Sequence, residues 1–213
     1  MPTRMQLSKD AIRHAAAVLQ SGGLVVFPTD TVYGLMADPS NTEAIRRIYD
    51  VKGREGNKPL QLLLRSTEDI GAVAQSTPPA AHRVARIFPG LVTMVLDKGD
   101  GVSSDVVAGG HTVGVRIPDD EWCAALLGEF GGPLAATSAN RSGEPSPRTA
   151  AEAEAQLGDV VDLIVDGGLC RAGVASTVID FTGPVLRILR EGALSLIALE
   201  EVLGVPYVVD ETA

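Results

Sequence analysis

The pattern of this chain predicts one α/β domain built on a mixed sheet. Helix-period and strand-period segments alternate from end to end, with no internal repeat, low-complexity linker or heptad run. The 213 residues, 45% of them hydrophobic, suffice for a substantial core. The apolar runs at 24–27 and 91–96 are short and follow Gly-Gly or Pro-Gly, as buried strands often do. Only 4% of residues are aromatic, so Val, Leu, Ile and Ala must do most of the packing.

Taken in order, local signals place each element. Ser8 is an N-cap for a helix whose Ile12, Ala15, Ala16 and Leu19 share one face and which ends near Gly22. Gly22 and Gly23 open the strand at 24–27, and Pro28 breaks its ladder. Ser40-x-x-Glu43 reads as a capping box ahead of Ile45, Ile48 and Tyr49. A strand at 60–64 precedes two short helices, 67–75 and 79–88, divided around Thr77-Pro78-Pro79. Another strand follows at 91–96.

Residues 112–117 alternate cleanly, with Val113, Val115 and Ile117 on one face and Thr112, Gly114 and Arg116 on the other. A helix near 119–127 and a strand at 134–136 come next. Thr149-x-x-Glu152 opens an alanine-rich helix. Strands at 161–165, 176–180 and 185–189 lead to a last helix starting at Ser195. The domain is expected to fill 1–206, with 207–213 a polar tail.

Composition narrows the function. No apolar run approaches the roughly 18 residues of a membrane span, and the first ten residues lack a signal-peptide pattern. Cys123 and Cys170 stand far apart in sequence, which suits reduced thiols and a cytoplasmic protein. A net charge of −9 argues against a broad nucleic-acid footprint. Locally the balance reverses. Arg46, Arg47, Lys52, Arg54, Lys58 and Arg65 face only Asp50 and Glu55 within their window. An acidic protein with such a cluster fits a small anionic ligand better than a polyanion, with a solvated helix face the alternative for Arg46 and Arg47.

Walker, Rossmann, zincin and nucleophile-elbow motifs are all absent. His14, His82 and His111 sit in contexts that suit structural or exposed roles. What remains is a set of segments rich in cations and hydroxyls. Pro28-Thr29-Asp30-Thr31-Val32-Tyr33-Gly34-Leu35 follows a strand, where open α/β sheets bind ligands; a capped turn is the alternative. Lys52-Gly53-Arg54 with Lys58 offers phosphate-binding cations. The segment from Thr137 to Pro147, with Ser138, Asn140, Ser142 and Ser146, is dense in small donors able to wrap an anion; an ordinary turn-rich connection is the other reading. Ser176-Thr177-Val178 and Arg190-Glu191-Gly192 add hydroxyls and a further cation.

Five of these stretches in order resemble the YrdC-like threonylcarbamoyl-AMP synthases. They are the octet from Pro28 to Leu35, Lys52-x-Arg54, Val113-Gly-Val-Arg-Ile-Pro118, Ser138-Ala-Asn140 with Ser142-Gly143, and Ser176-Thr-Val178. The resemblance implies a twisted mixed sheet with a concave basic cleft. It also implies synthesis of threonylcarbamoyl-adenylate and pyrophosphate from ATP, L-threonine and bicarbonate. Mg²⁺ would be carried with ATP, and the product would go to a transferase that modifies tRNA.

Carried over by position, the resemblance implies that Thr31, Arg116 and Ser176 would contact threonine. It likewise implies ATP contacts at Arg54, Lys58, Thr112, Ser138, Asn140, Ser146 and Arg190, with Lys52 and Arg54 as the catalytic cations. Leu63 stands where some relatives place a histidine, so that contact is not carried over. Long members append a second domain, and the resemblance here is to the short form. A double-stranded RNA-binding module of the same fold is the competing expectation. The acidic balance and the shortage of aromatic residues weigh against it.

Overall fold

In a computed structural model, which describes residues 2–53 and 58–210, every strand joins one open mixed sheet. Strand β1 (Thr3–Gln6) leads to helix α1 (Lys9–Gln20), then to β2 (Val25–Phe27) and β3 (Gly34–Ala37). Helix α2 (Thr42–Lys52) is followed by β4 (Gln61–Leu63), the one-turn α3 (Ile70–Val73) and α4 (Pro79–Ala85). Next come β5 (Val92–Asp97), β6 (Thr112–Arg116), α5 (Glu121–Phe130), β7 (Leu134–Ser138) and α6 (Ala150–Leu157). The chain closes with β8 (Leu163–Asp166), β9 (Thr177–Asp180), β10 (Leu186–Arg190), α7 (Leu196–Leu203) and β11 (Tyr207–Val209). Across the sheet the order is β1-β8-β2-β3-β7-β4-β6-β5-β9-β10-β11. Parallel pairs such as β4–β6 and β5–β9 mix with antiparallel ones such as β3–β7 and β5–β6.

The two faces of this sheet are covered unequally. On one, Leu35, Leu62, Met94, Val113, Val115, Ala135 and Ile179 meet the buried sides of α2, α3, α4, α6 and α7 in a single core. On the other, Val25, Phe27, Met36, Leu63, Leu134, Ala136 and Leu163 meet only α1 and α5. Strand alternation sends neighbouring residues to opposite faces, so both cores are written into the same strands. Helices α1 and α5 pack on each other over one half of their face. The other half carries the cleft described below.

Local signals account for most helix ends. Ser8, Thr149 and Ser195 cap α1, α6 and α7 through their side chains. The expected capping box at Ser40 is corrected. Asn41 is the N-cap of α2 and accepts from Ala44 N at 3.0 Å, while Ser40 is held by Asp38 Oδ1. Asparagine caps as well as serine does, and the nearby carboxylate draws Ser40 away.

The helix expected at 67–75 is shorter, a 3-10 turn at Thr67–Asp69 running into α3. Strand β1 has no apolar alternation to announce it, because three of its four residues are exposed. Strand β3 is buried at every position and shows none either. The segment read as a polar tail includes β11, which pairs with β10 in parallel. Among the described residues no helix is long and apolar enough to cross a membrane.

Candidate functional site

Strand ends and loops from across the sheet enclose a cleft of about 240 Å³ on the half-bare face. Its floor is the outward row of β6, Thr112, Gly114 and Arg116, flanked by Gln61 of β4 and Thr93 of β5. Thr31, Thr137, Ser138, Ser176 and Arg190 complete the polar lining. Gly114 sits tightly between its neighbours: a Cβ there would lie 3.3 Å from Thr93 Cγ2 and 3.4 Å from Gln61 Cβ.

At one end Arg116 is buried against the octet. Its Nη1 donates to Thr31 Oγ1 at 2.7 Å, its Nη2 to Asp30 Oδ1 at 2.5 Å, and its Nε to Gly90 O at 3.4 Å. Thr31 is itself set by Thr29, whose Oγ1 lies 3.0 Å from Thr31 Oγ1 and donates to Val32 O. The octet is pinned from outside as well. Ala172 and Gly173 donate backbone N–H to Asp30 O and Thr31 O, and Tyr33 N donates to Pro147 O. Tyr33 Oη donates to Gly168 O at 2.8 Å and accepts from Gly167 N at 3.0 Å. Burial pushes this phenol up to about 12.

Along the floor the hydroxyls are linked. Thr93 Oγ1 donates to Gln61 Oε1 at 2.8 Å and lies 2.8 Å from Ser176 Oγ. Arg190 folds over the same strand end, donating from Nε and Nη2 to Ser176 O at 3.1 and 2.8 Å. Thus Thr31, Thr112, Arg116, Ser138, Ser176 and Arg190, named from the sequence, come together in one hollow.

Of the remaining named residues, those that are described lie behind or beside it. Lys52 is buried, with Nζ donating to Ser138 O at 2.6 Å and Asn140 Oδ1 at 3.1 Å. Asn140 Nδ2 in turn donates to Arg141 O and Glu144 O. A buried ammonium needs such acceptors. In this structure the end of α2 and the loop after β7 form one unit through Lys52, strengthened by Ser142 N donating to Lys52 O. Lys58 is exposed beside the cleft residue Pro59, and Ser146 is half-buried next to Pro147. Arg54 lies outside the described residues.

Asp30 belongs to the octet without a role assigned from the sequence, while Gln61 and Thr93 are site residues outside every segment singled out. Gln61 and Thr93 did carry a signal, each being the one polar residue inside an apolar strand run. Both thiols are buried, and burial raises Cys123 and Cys170, the latter to about 11. Neither offers a thiolate near neutral pH. Among the described residues no three His, Cys, Asp or Glu side chains converge on a metal position.

The chain has counterparts among known proteins. The Sua5/YciO/YrdC family model, described as telomere recombination, matches residues 17–192. The threonylcarbamoyl-AMP synthase of Pyrococcus abyssi is 41% identical over 94% of this chain and 59% of its own length. That of Bacillus subtilis is 40% identical over 94% and 58%. A putative threonylcarbamoyl-AMP synthase of Mycobacterium tuberculosis is 38% identical over 90% of this chain and 88% of its own. The chain thus spans less than two thirds of the first two relatives. Among solved structures, P. abyssi Sua5 complexed with L-threonine superposes with a TM-score of 0.92 at 37% identity, covering 98% of this chain and 62% of that one. Escherichia coli YciO gives 0.83 at 25% identity, over 90% and 96%. With the family model spanning most of the chain and the fold shared over nearly all of it, the chain belongs to the Sua5/YciO/YrdC family.

Proposed function

We propose that this protein makes threonylcarbamoyl-AMP and pyrophosphate from ATP, L-threonine and bicarbonate. The observation that carries the reading is the cleft itself, with a buried Arg116 at one end and Ser138, Thr112 and Arg190 along the rest of the hollow. Relatives named threonylcarbamoyl-AMP synthase, and a structural neighbour solved with L-threonine, support it.

In this reading the threonine carboxylate sits on Arg116 with Thr31 and Ser176 beside it. Its amine adds to the bicarbonate carbon with loss of water, giving a carbamate. A carbamate oxygen attacks the α-phosphorus of ATP, the bond to the bridging oxygen breaks, and pyrophosphate leaves. Charge building on the α-phosphate is met by Arg190, Arg54 and Lys58, with Ser138, Thr112 and Ser146 as hydroxyl donors. Lys52 and Asn140 hold the loop that presents Ser138. Mg²⁺ bound with ATP would neutralise phosphate charge, its ligands coming mainly from the triphosphate and water.

The product is a labile mixed anhydride, and we assign its consumption to a cytoplasmic transferase that modifies tRNA. Purified protein given ATP, Mg²⁺, threonine and bicarbonate is expected to release pyrophosphate only when all the substrates are present. Release independent of threonine or bicarbonate overturns the reading. Salt-sensitive binding of duplex RNA without any such turnover would put an RNA-binding module in its place.

A further inference from the structure

We propose that Asp30 is a positioning residue that sets the grip on threonine by holding Arg116 from behind. The inference deepens the function proposed above and rests on threonine being the amino-acid substrate.

A guanidinium carries five N–H donors in a rigid plane. In Arg116 three of them are engaged, by Thr31 Oγ1, Asp30 Oδ1 and Gly90 O. Each terminal nitrogen therefore keeps one N–H with no partner among the described residues, and Arg116 lines the cleft. A guanidinium held in this way, with N–H groups left over, suits the carboxylate of a ligand in the cleft. Without its partners the guanidinium would be free to rotate about its side-chain bonds, and the ligand would have to order it on binding.

Among the described residues the side chain of Asp30 hydrogen-bonds Arg116 alone. Its side chain is 0% exposed, against 4% for that of Arg116. It is absent from the cleft lining and instead borders a separate cavity, of about 430 Å³, together with Asp119, Asp120 and Cys170. Its backbone carbonyl accepts from Ala172 N, which fixes this part of the octet behind Arg116. Its second oxygen, Oδ2, is buried without a hydrogen-bond partner among the described residues. Oδ1 thus makes the hydrogen bond to Arg116, and the pair is also a buried ion pair. Asp30→Asn keeps an acceptor at that position and removes the charge, so it separates orientation from charge in the test.

The test compares Asp30→Ala and Asp30→Asn with the wild type in steady-state kinetics. The expected result is that Asp30→Ala raises the threonine KM by roughly tenfold or more while the ATP KM stays within about twofold. Asp30→Asn should bring the threonine KM back to within about threefold of wild type. A parallel rise in both KM values, or an Asn variant no better than Ala, overturns the proposal. If Asp30→Ala does not fold, a roughly tenfold rise in threonine KM in Asp30→Asn alone overturns it. A substrate-free readout runs alongside, on full-length protein labelled with ¹⁵N-arginine. The terminal N–H signals of Arg116 should be resolved and slowly exchanging in the wild type and Asp30→Asn, and averaged in Asp30→Ala. Unchanged signals in the Ala variant overturn the proposal as well. A wild type that never consumes threonine would remove the function proposed above, while the arginine signals still decide whether Asp30 holds Arg116.

Discussion

Single residues in the octet divide the labour between substrate and scaffold. Thr31 faces the cleft, Asp30 stands behind it, and Tyr33 fastens the Gly167-Gly168 loop to the strand end. Tyr33→Phe would leave Gly167 N and Gly168 O without their phenol partner, at a cost of about 1–3 kcal/mol in chemical denaturation. The phenol also shapes the alkaline limit of stability. Its folded pKa is raised from 10.0 to about 12 by burial, so the folded state favours the protonated form. The contribution is whole below the unfolded value of 10.0 and is lost as pH rises toward about 12. Cys170, raised from 9.0 to about 11, acts with the same sign one unit lower. Melting curves across this range should show stability falling, and Tyr33→Phe should flatten the upper part of the fall. An unchanged slope in the variant would remove Tyr33 as a cause.

At the scale of elements, the cleft depends on how closely strand ends approach one another. The clearest case is Gly192, just after β10. A Cβ there would lie 2.2 Å from Ala175 O and 2.6 Å from Ser176 O, and Gly192 N donates to Thr177 Oγ1 at 3.0 Å. Glycine is needed for contact, since the backbones touch. Gly192→Ala is expected to push residues 175–176 away, costing about 1–3 kcal/mol. It should also lower kcat/KM, because Ser176 and the carbonyl that holds Arg190 both move. Thermal denaturation and kinetics on the same preparation check this, and a variant with wild-type values in both would show that the two backbones can part without consequence. Elements also explain the errors of sequence reading. Strand β3 shows no alternation because it is buried on both faces, and the Ser40 cap fails because Asp38 competes for the hydroxyl.

Over the whole molecule, the site exists because one face of the sheet is only half covered. Helices α1 and α5 bury Leu19, Phe27, Leu126 and their neighbours on one half, and the other half carries Gln61, Thr93, Arg116 and Ser176 in the lining of the cleft. A cavity made in the covered half should therefore cost stability alone. Leu19→Ala is expected to lose about 2–5 kcal/mol with both substrate KM values unchanged, measured by denaturant titration and kinetics. A shifted KM would mean that the two halves are coupled. The sequence by itself determined the alternation of helices and strands, the strand row Thr112-Gly114-Arg116, and the cation- and hydroxyl-bearing segments, because each is set by neighbours in the chain. The tertiary structure alone decided which of those segments meet. It put Asp30 behind Arg116 across 86 residues, sank Lys52 against Ser138 and Asn140, and brought Gln61 and Thr93 to the floor. Partnership of that kind follows from strand order and from which face each helix covers, and neither is written in local spacing.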